Sequence, residues 1–177
     1  GEVRSGQANT PKGFSHWLIK FDGVTDRQFG ASSGYGRVEM VYSLMAADAG
    51  IEMSECRLLD ENGRSHFITR RFDRDPVEGK LHVQTFCVMR HFDFNDVNHY
   101  SYEQLFETMR MLGLPYPQAE QMYRRMVFNV MGQNCDDHTK NFAFMMNRSG
   151  EWKLAPAYDV CHAYRPGSEW VSQHALS

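Results

Sequence analysis

Cysteine is sparse and dispersed: Cys56, Cys87, Cys135 and Cys161 never form a C-x-x-C pair. That spacing excludes a zinc knuckle and a dense disulfide framework, and reduced thiols are the simplest reading. The histidines show no H-x-x-x-H spacing, which argues against a zinc site. No apolar run approaches the ~20 residues that cross a bilayer, and no signal-peptide pattern opens the chain, so a soluble cytoplasmic protein without membrane contact is expected. A basic excess is also missing, because 19 Lys and Arg face 22 Asp and Glu for a net charge of −3. Direct nucleic-acid binding is therefore not expected, since such binders displace counterions with clustered Lys and Arg. Neither internal repeats nor low-complexity segments are visible.

What is present is an ordinary globular balance, 42% hydrophobic and 23% charged over 177 residues, enough for one buried core or two small lobes. "HWLIKF" (His16 to Phe21) reads as a strand interrupted by Lys20. "GRVEMVYSLMAADAG" places Val38, Val41, Tyr42, Met45 and Ala49 on one helical stripe, carries Glu39, and puts Gly50 at the C′ position. Two β-rich runs flank Asn62-Gly63, a strong hairpin signal. Residues 1–72 thus read as strand, helix and hairpin, and a lobe boundary is expected at the polar stretch "DRDPVEGK".

Residues 73–177 are dominated by helical periodicity. Ser101 and Gln104 form a capping-box pattern ahead of Leu105, Phe106, Met109 and Leu112, with Gly113 ending that helix. A second helix is predicted from about Pro117 to Met131, with Met122, Tyr123, Met126, Val127 and Val130 on its core face. A hairpin then follows, "NFAFMMN" and "EWKLAP" around an Asn147 to Gly150 turn.

This hairpin is bracketed by acids. Asp136 and Asn141 precede its first strand, Asp159 follows its second, and antiparallel pairing would bring them together. Converging carboxylates with an Asn amide are an oxygen-rich set of the kind Mg²⁺ accepts. Protein kinases place a metal-binding Asn five positions after the catalytic Asp, and 141 − 136 = 5 reproduces that interval. Asp136 is then the candidate base, Asn141 and Asp159 the metal ligands, and Lys140 a neutraliser of phosphoryl charge. Lys20 in a strand followed by Glu39 in the next helix matches the order of the kinase phosphate-binding Lys and its helix Glu. Asp and Asn also cap loops, and a strand Lys can snorkel, so each residue alone has a plain structural reading.

Taken together, "WLIKFDG", "ITRRFDR", "LHVQTF", "YSYEQLF", "MVFNV", "DDHTKNFAF" and "WKLAPAYDV" resemble the HipA-like serine/threonine kinases of bacterial toxin–antitoxin systems. The resemblance covers nearly the whole chain. It implies an α+β, two-lobed, kinase-like fold, with ATP and Mg²⁺ as cofactors. Lys20 would contact ATP phosphates, Asp136 would act as base, and Asn141 and Asp159 would hold the metal. The backbone of Thr69, Arg70, Arg71 and Phe72 would form the adenine-side hinge, and His138 would support the loop. His82 and Gln84 fall in a family-like motif, with a partly buried helix start as their plain reading. The implied partners are a protein substrate bearing Ser or Thr and a DNA-binding antitoxin. One departure stands out: nothing before "HWLIKF" resembles the family's Gly- and Ser-rich phosphate loop, so a fragment of a longer protein is expected. A truncated or catalytically impaired domain that binds nucleotide or a partner is the alternative. A metal-dependent phosphoesterase fits less well, for want of further ligands at metal spacing.

Overall fold

The computed structural model describes residues 2–6, 11–23, 25–26, 30–31, 34–77, 79–93, 95–96 and 99–176, and of residues 25, 26, 30 and 31 only the backbone. Glu78, in the polar stretch, lies outside them.

The first sheet has the order β1-β5-β4, built from β1 (Trp17–Lys20), β4 (Cys56–Glu61) and β5 (Arg64–Arg70). β4 and β5 pair in register from Cys56↔Thr69 to Glu61↔Arg64, leaving Asn62 and Gly63 as a two-residue loop. Both loop residues have positive φ, 48° and 77°, as a type I′ turn requires. Short pairs β2 (Thr25–Asp26) with β3 (Gly30–Ala31), and β6 (Arg74–Asp75) with β7 (Gly79–Lys80), sit outside this sheet.

Helix α1 (Tyr35–Asp48) forms where the sequence predicts it, and Gly50 takes φ 76° just beyond its end. Its orientation departs from the expected one. Of the predicted stripe Tyr42 packs inward, but Val38, Val41 and Met45 are 40, 52 and 45% exposed, while Gly36, Glu39, Ser43 and Ala46 are buried. The cause is close packing on the sheet: a Cβ at Gly36 would lie 2.2 Å from the Ser65 carbonyl oxygen, so only glycine lets the helix approach β5 this closely.

The second sheet has the order β10-β9-β8, from β8 (His82–Thr85), β9 (Ala143–Met146) and β10 (Trp152–Leu154). β9 and β10 are the expected hairpin, and Asn147 Oδ1 accepts from the Ser149 and Glu151 N–H groups in its turn. β8 corrects the helix-start reading of His82 and Gln84: both pair with β9, opposite Met146 and Phe144. The helix begins only after Thr85, whose hydroxyl caps α2 (Phe86–Arg90).

Helix α3 (Tyr102–Met111) carries the predicted capping box, with Ser101 Oγ and Gln104 Oε1 accepting reciprocally from backbone N–H groups. Helix α4 (Tyr116–Met131) is present, but its buried face is rotated from the predicted stripe. Tyr123 and Val130 are more than half exposed, whereas Arg125 and Asn129 are buried beside Met122. That polar face lies beneath the candidate site, where α4 supplies hydrogen bonds as well as apolar area. The main core joins α2, α3, α4 and the second sheet through Phe86, Leu105, Met109, Met122, Phe142 and Phe144. A smaller cluster of Ala46, Ile51, Ala157 and Val160 joins α1 to the stretch after β10.

Candidate active site

β1 carries Lys20 at its end, and the inward face of α1 carries Glu39. Lys20 Nζ donates to Glu39 Oε1 at 2.7 Å and also to Asp159 Oδ1, so one ammonium joins β1, α1 and the segment after β10. Burial works against the Lys20 charge, but the carboxylates of Asp159 and Glu39 outweigh it and hold the group above the ordinary lysine range. Burial likewise pushes Glu39 up from the usual carboxylate range, with Lys20 opposing.

Asp159 is held in place by its backbone. Ala157 N–H donates to Glu52 O at 2.8 Å, and Met53 bridges Ala157 in a parallel pair. Two residues on, Asp159 adopts φ 56°, a left-handed conformation that Asp tolerates better than most residues yet still strained.

The loop from Asp136 to Asn141 closes on itself. Asn141 N–H donates to His138 O at 2.9 Å, Asn141 Nδ2 to Asp136 O at 2.6 Å, and Lys140 N–H to His138 Nδ1 at 3.2 Å. With Nδ2 engaged, Oδ1 is the acceptor atom of the Asn141 side chain. Helix α2 fixes the loop from behind, where Phe86 and Cys87 N–H groups donate to Phe142 O and Thr139 O. The Asp136 carboxylate is 39% exposed and 3.6 Å from His138 Nε2. Burial raises Asp136 above its ordinary value, His138 opposes, and the neighbouring Asp159 and Asp137 charges add to the rise. His138 therefore shapes the loop through both its carbonyl and its ring Nδ1.

The two adjacent aspartates have different surroundings. Asp137 is buried and accepts from Tyr102 OH at 2.7 Å, from Ala175 N–H at 2.7 Å and from His174 Nδ1 at 3.0 Å. Its network continues through Asn129 and Asn134. Asp136, one residue earlier, faces the Lys20 cluster.

The other predicted residues lie at the margin. The Lys140 side chain is exposed, and its carbonyl accepts from Tyr158 OH at 2.6 Å. Thr69 and Arg70 belong to β5, the N–H groups of Arg70 and Arg71 are committed to Glu55 O and His16 O, and Arg71 pairs with Asp73. Phe72 sits against Tyr158, ring centroids 5.7 Å apart. Tyr158 thus ties the Asp136 loop, Phe72 and Asp159 together, a role that no sequence pattern marked beyond its place beside Asp159. Asp137 and Arg125 were equally invisible as buried polar residues, since their roles depend on partners far along the chain.

The oxygen set of Asp136, Asn141 Oδ1 and Asp159 suits a hard divalent cation. Among the described residues no group of three His, Cys, Asp or Glu side chains could cage a metal, and no helix is long and apolar enough to cross a membrane.

Comparison with known proteins gives a consistent picture. The chain is 26% identical over 125 residues to the kinase-named protein Y4mE of Sinorhizobium fredii, and 27% identical over 159 residues to Y4dM of the same organism. These alignments cover 66 and 81% of the chain but only 30 and 36% of the relatives, so the chain spans about a third of their length. Among solved structures, HipA of Shewanella oneidensis MR-1, determined with HipB and operator DNA, matches with a TM-score of 0.69 at 18% identity, over 99% of this chain and 49% of that one. The Helicobacter pylori proinflammatory kinase CtkA matches with a TM-score of 0.62 at 14% identity, over 84% of this chain and 52% of that one. The profile of the HipA-like C-terminal domain runs from residue 3 to residue 177, and on that extent the chain belongs to the HipA-like C-terminal domain family, with its kinase-like α+β fold.

Proposed function

We propose that the chain is the catalytic region of an ATP- and Mg²⁺-dependent serine/threonine protein kinase of HipA type, divided into lobes near residues 72 and 73. The observation that carries this reading is the meeting of Lys20, Glu39 and Asp159 from three separate parts of the chain, beside the closed Asp136 to Asn141 loop. The Asp136 carboxylate lies close enough to Asp159 and Lys20 for their charges to act on it, so the loop and the ion-pair cluster form one electrostatic unit.

Lys20, braced by Glu39, orients the nucleotide phosphates. Asp136 positions a substrate hydroxyl and accepts its proton, a task suited to a carboxylate whose proton affinity is already raised by its surroundings. Asn141 Oδ1 and Asp159 would hold Mg²⁺, which supplies charge neutralisation on the phosphates when bound. Lys140 offsets charge on the phosphoryl group from the exposed side. Among Thr69 to Phe72, the committed N–H groups of Arg70 and Arg71 leave Phe72 as the best candidate for contact with the base.

The capture of the solved HipA with HipB and operator DNA supports a DNA-binding antitoxin as the proposed partner, and a protein substrate with Ser or Thr belongs to the kinase reading itself. The test is transfer of the γ-phosphoryl of radiolabelled ATP to protein Ser or Thr by a chain of the relatives' length. The expected result is transfer reduced at least 100-fold in Asp136→Asn, the scale of a lost general base. Equal transfer by the variant would remove Asp136 from its role.

A further inference from the structure

The α1 helix and the Asp159 segment meet a common support. The turn after α1, residues 49–52, is gripped by one face of α4. Gln121 Oε1 accepts from Glu52 N–H and Gln121 Nε2 donates to Gly50 O, both at 2.9 Å, and Arg124 Nη1 donates to Ala49 O at 3.3 Å. The next turns of α4 add Phe128, edge-on to Tyr42, and Gly132, whose carbonyl accepts from Tyr42 OH at 2.6 Å. The C-terminal half of α1 is thereby fixed to α4, while Glu39 lies nearer its N-terminal end.

The same turn reaches the other side of the site. Glu52 donates its N–H to Gln121 and accepts with its carbonyl from Ala157 N–H, two residues before Asp159. One amide side chain therefore holds the piece of backbone from which both Glu39 and Asp159 are set. A planar amide with a donor and an acceptor matches this pair of backbone groups, and no other uncharged side chain of that length offers both.

We propose that Gln121 is a positioning residue for the kinase-type site: it clamps the turn at residues 49–52 and so fixes the spacing between the Lys20–Glu39 pair and Asp159. This rests on the reading under Proposed function, while the clamp itself can be examined without nucleotide.

The experiment compares the 177-residue chain with Gln121→Ala, Gln121→Glu and Ser101→Ala. The Glu variant keeps the acceptor for Glu52 N–H but loses the donor to Gly50 O. Ser101→Ala loosens the α3 cap and lowers overall stability without touching the turn. Two quantities are read: amide hydrogen exchange at Glu52 and Ala157 relative to Phe144 in β9, and the Kd for ATP with Mg²⁺. In Gln121→Ala, Glu52 and Ala157 should exchange at least about tenfold faster relative to Phe144, and Kd should rise about three- to tenfold, with Gln121→Glu in between. Ser101→Ala should move neither the exchange ratio nor the Kd. Exchange that changes in step with Phe144, or a loosened turn with an unaltered Kd, would overturn the proposal. If the unmodified chain binds no Mg²⁺–ATP, the kinase reading fails, and selective exchange alone then decides whether the clamp exists.

Discussion

Asp136 is pulled in opposite directions by its neighbours, and this makes its charge a measurable cost. Burial and the charges of Asp159 and Asp137 raise its proton affinity, with His138 opposing. A carboxyl that holds its proton more tightly in the folded state loses stability as pH rises through the carboxylate range. Asp136→Asn is therefore expected to raise the midpoint of thermal unfolding at pH 7, with the gain fading as pH falls to about 3, below the ordinary aspartate value of 3.8, where the carboxyl is protonated in the folded and unfolded chain alike. Differential scanning calorimetry at the two pH values checks this, and a gain that grows toward low pH would refute the charge argument. Lys20 behaves oppositely: its raised affinity means that its contribution is fully present at neutral pH and lost only in strong alkali. Lys20→Met should cost about 1–2 kcal/mol at pH 7, discounted for a lysine that is half exposed. The cost should shrink on acidification, because the unpaired Glu39, already raised by burial, takes up a proton. Chemical denaturation at pH 7 and pH 5 separates these outcomes. At this scale the spacing of Asp136 and Asn141 placed them in one loop, and the Asn141 side chain does donate to the Asp136 carbonyl. The sequence was silent about Gln121, Tyr158 and Asp137, whose hydrogen-bond partners lie 18 to 71 positions away.

Local chemistry made the elements legible. Asn62-Gly63, the Ser101–Gln104 box and the Asn147 turn act through neighbours in sequence, and each forms as read. Faces were harder. The α1 stripe of Val38, Val41 and Met45 points outward because Gly36 and Glu39 take the inner side, one for close approach to β5 and the other for Lys20. Hydrophobic periodicity registers which residues are apolar, and a glycine contact or an ion pair can outrank it. Gly36→Ala should thus push α1 off β5 and lower stability by about 1–3 kcal/mol, the usual cost of overpacking. Urea unfolding measures the loss. An unchanged midpoint would mean that the helix can shift freely, and with it Glu39. β8 was missed for a related reason: a short strand that runs directly into a helix shows neither period clearly, and only pairing with β9 defines it.

The whole molecule depends on a buried polar centre as well as an apolar core. Asp137 receives hydrogen bonds from α3 through Tyr102 and from the C-terminal stretch through His174 and Ala175, directly behind Asp136. Asp137→Asn turns an amide donor toward this set of donors and should destabilise by about 2–3 kcal/mol, read from urea unfolding. Because the network lies behind the loop, the variant should also weaken nucleotide binding more than its stability loss alone explains.

Residues far apart in the chain meet where Lys20 joins Glu39 and Asp159, and the proposed Mg²⁺–ATP site rests on that meeting. Its most direct test is calorimetric titration of the chain with ATP, with and without Mg²⁺, beside Asp159→Asn. A site of this kind requires Mg²⁺ for binding, and its affinity should fall at least about tenfold in the variant, a difference of ~1.4 kcal/mol. Binding that is indifferent to Mg²⁺ and unchanged in Asp159→Asn would contradict it.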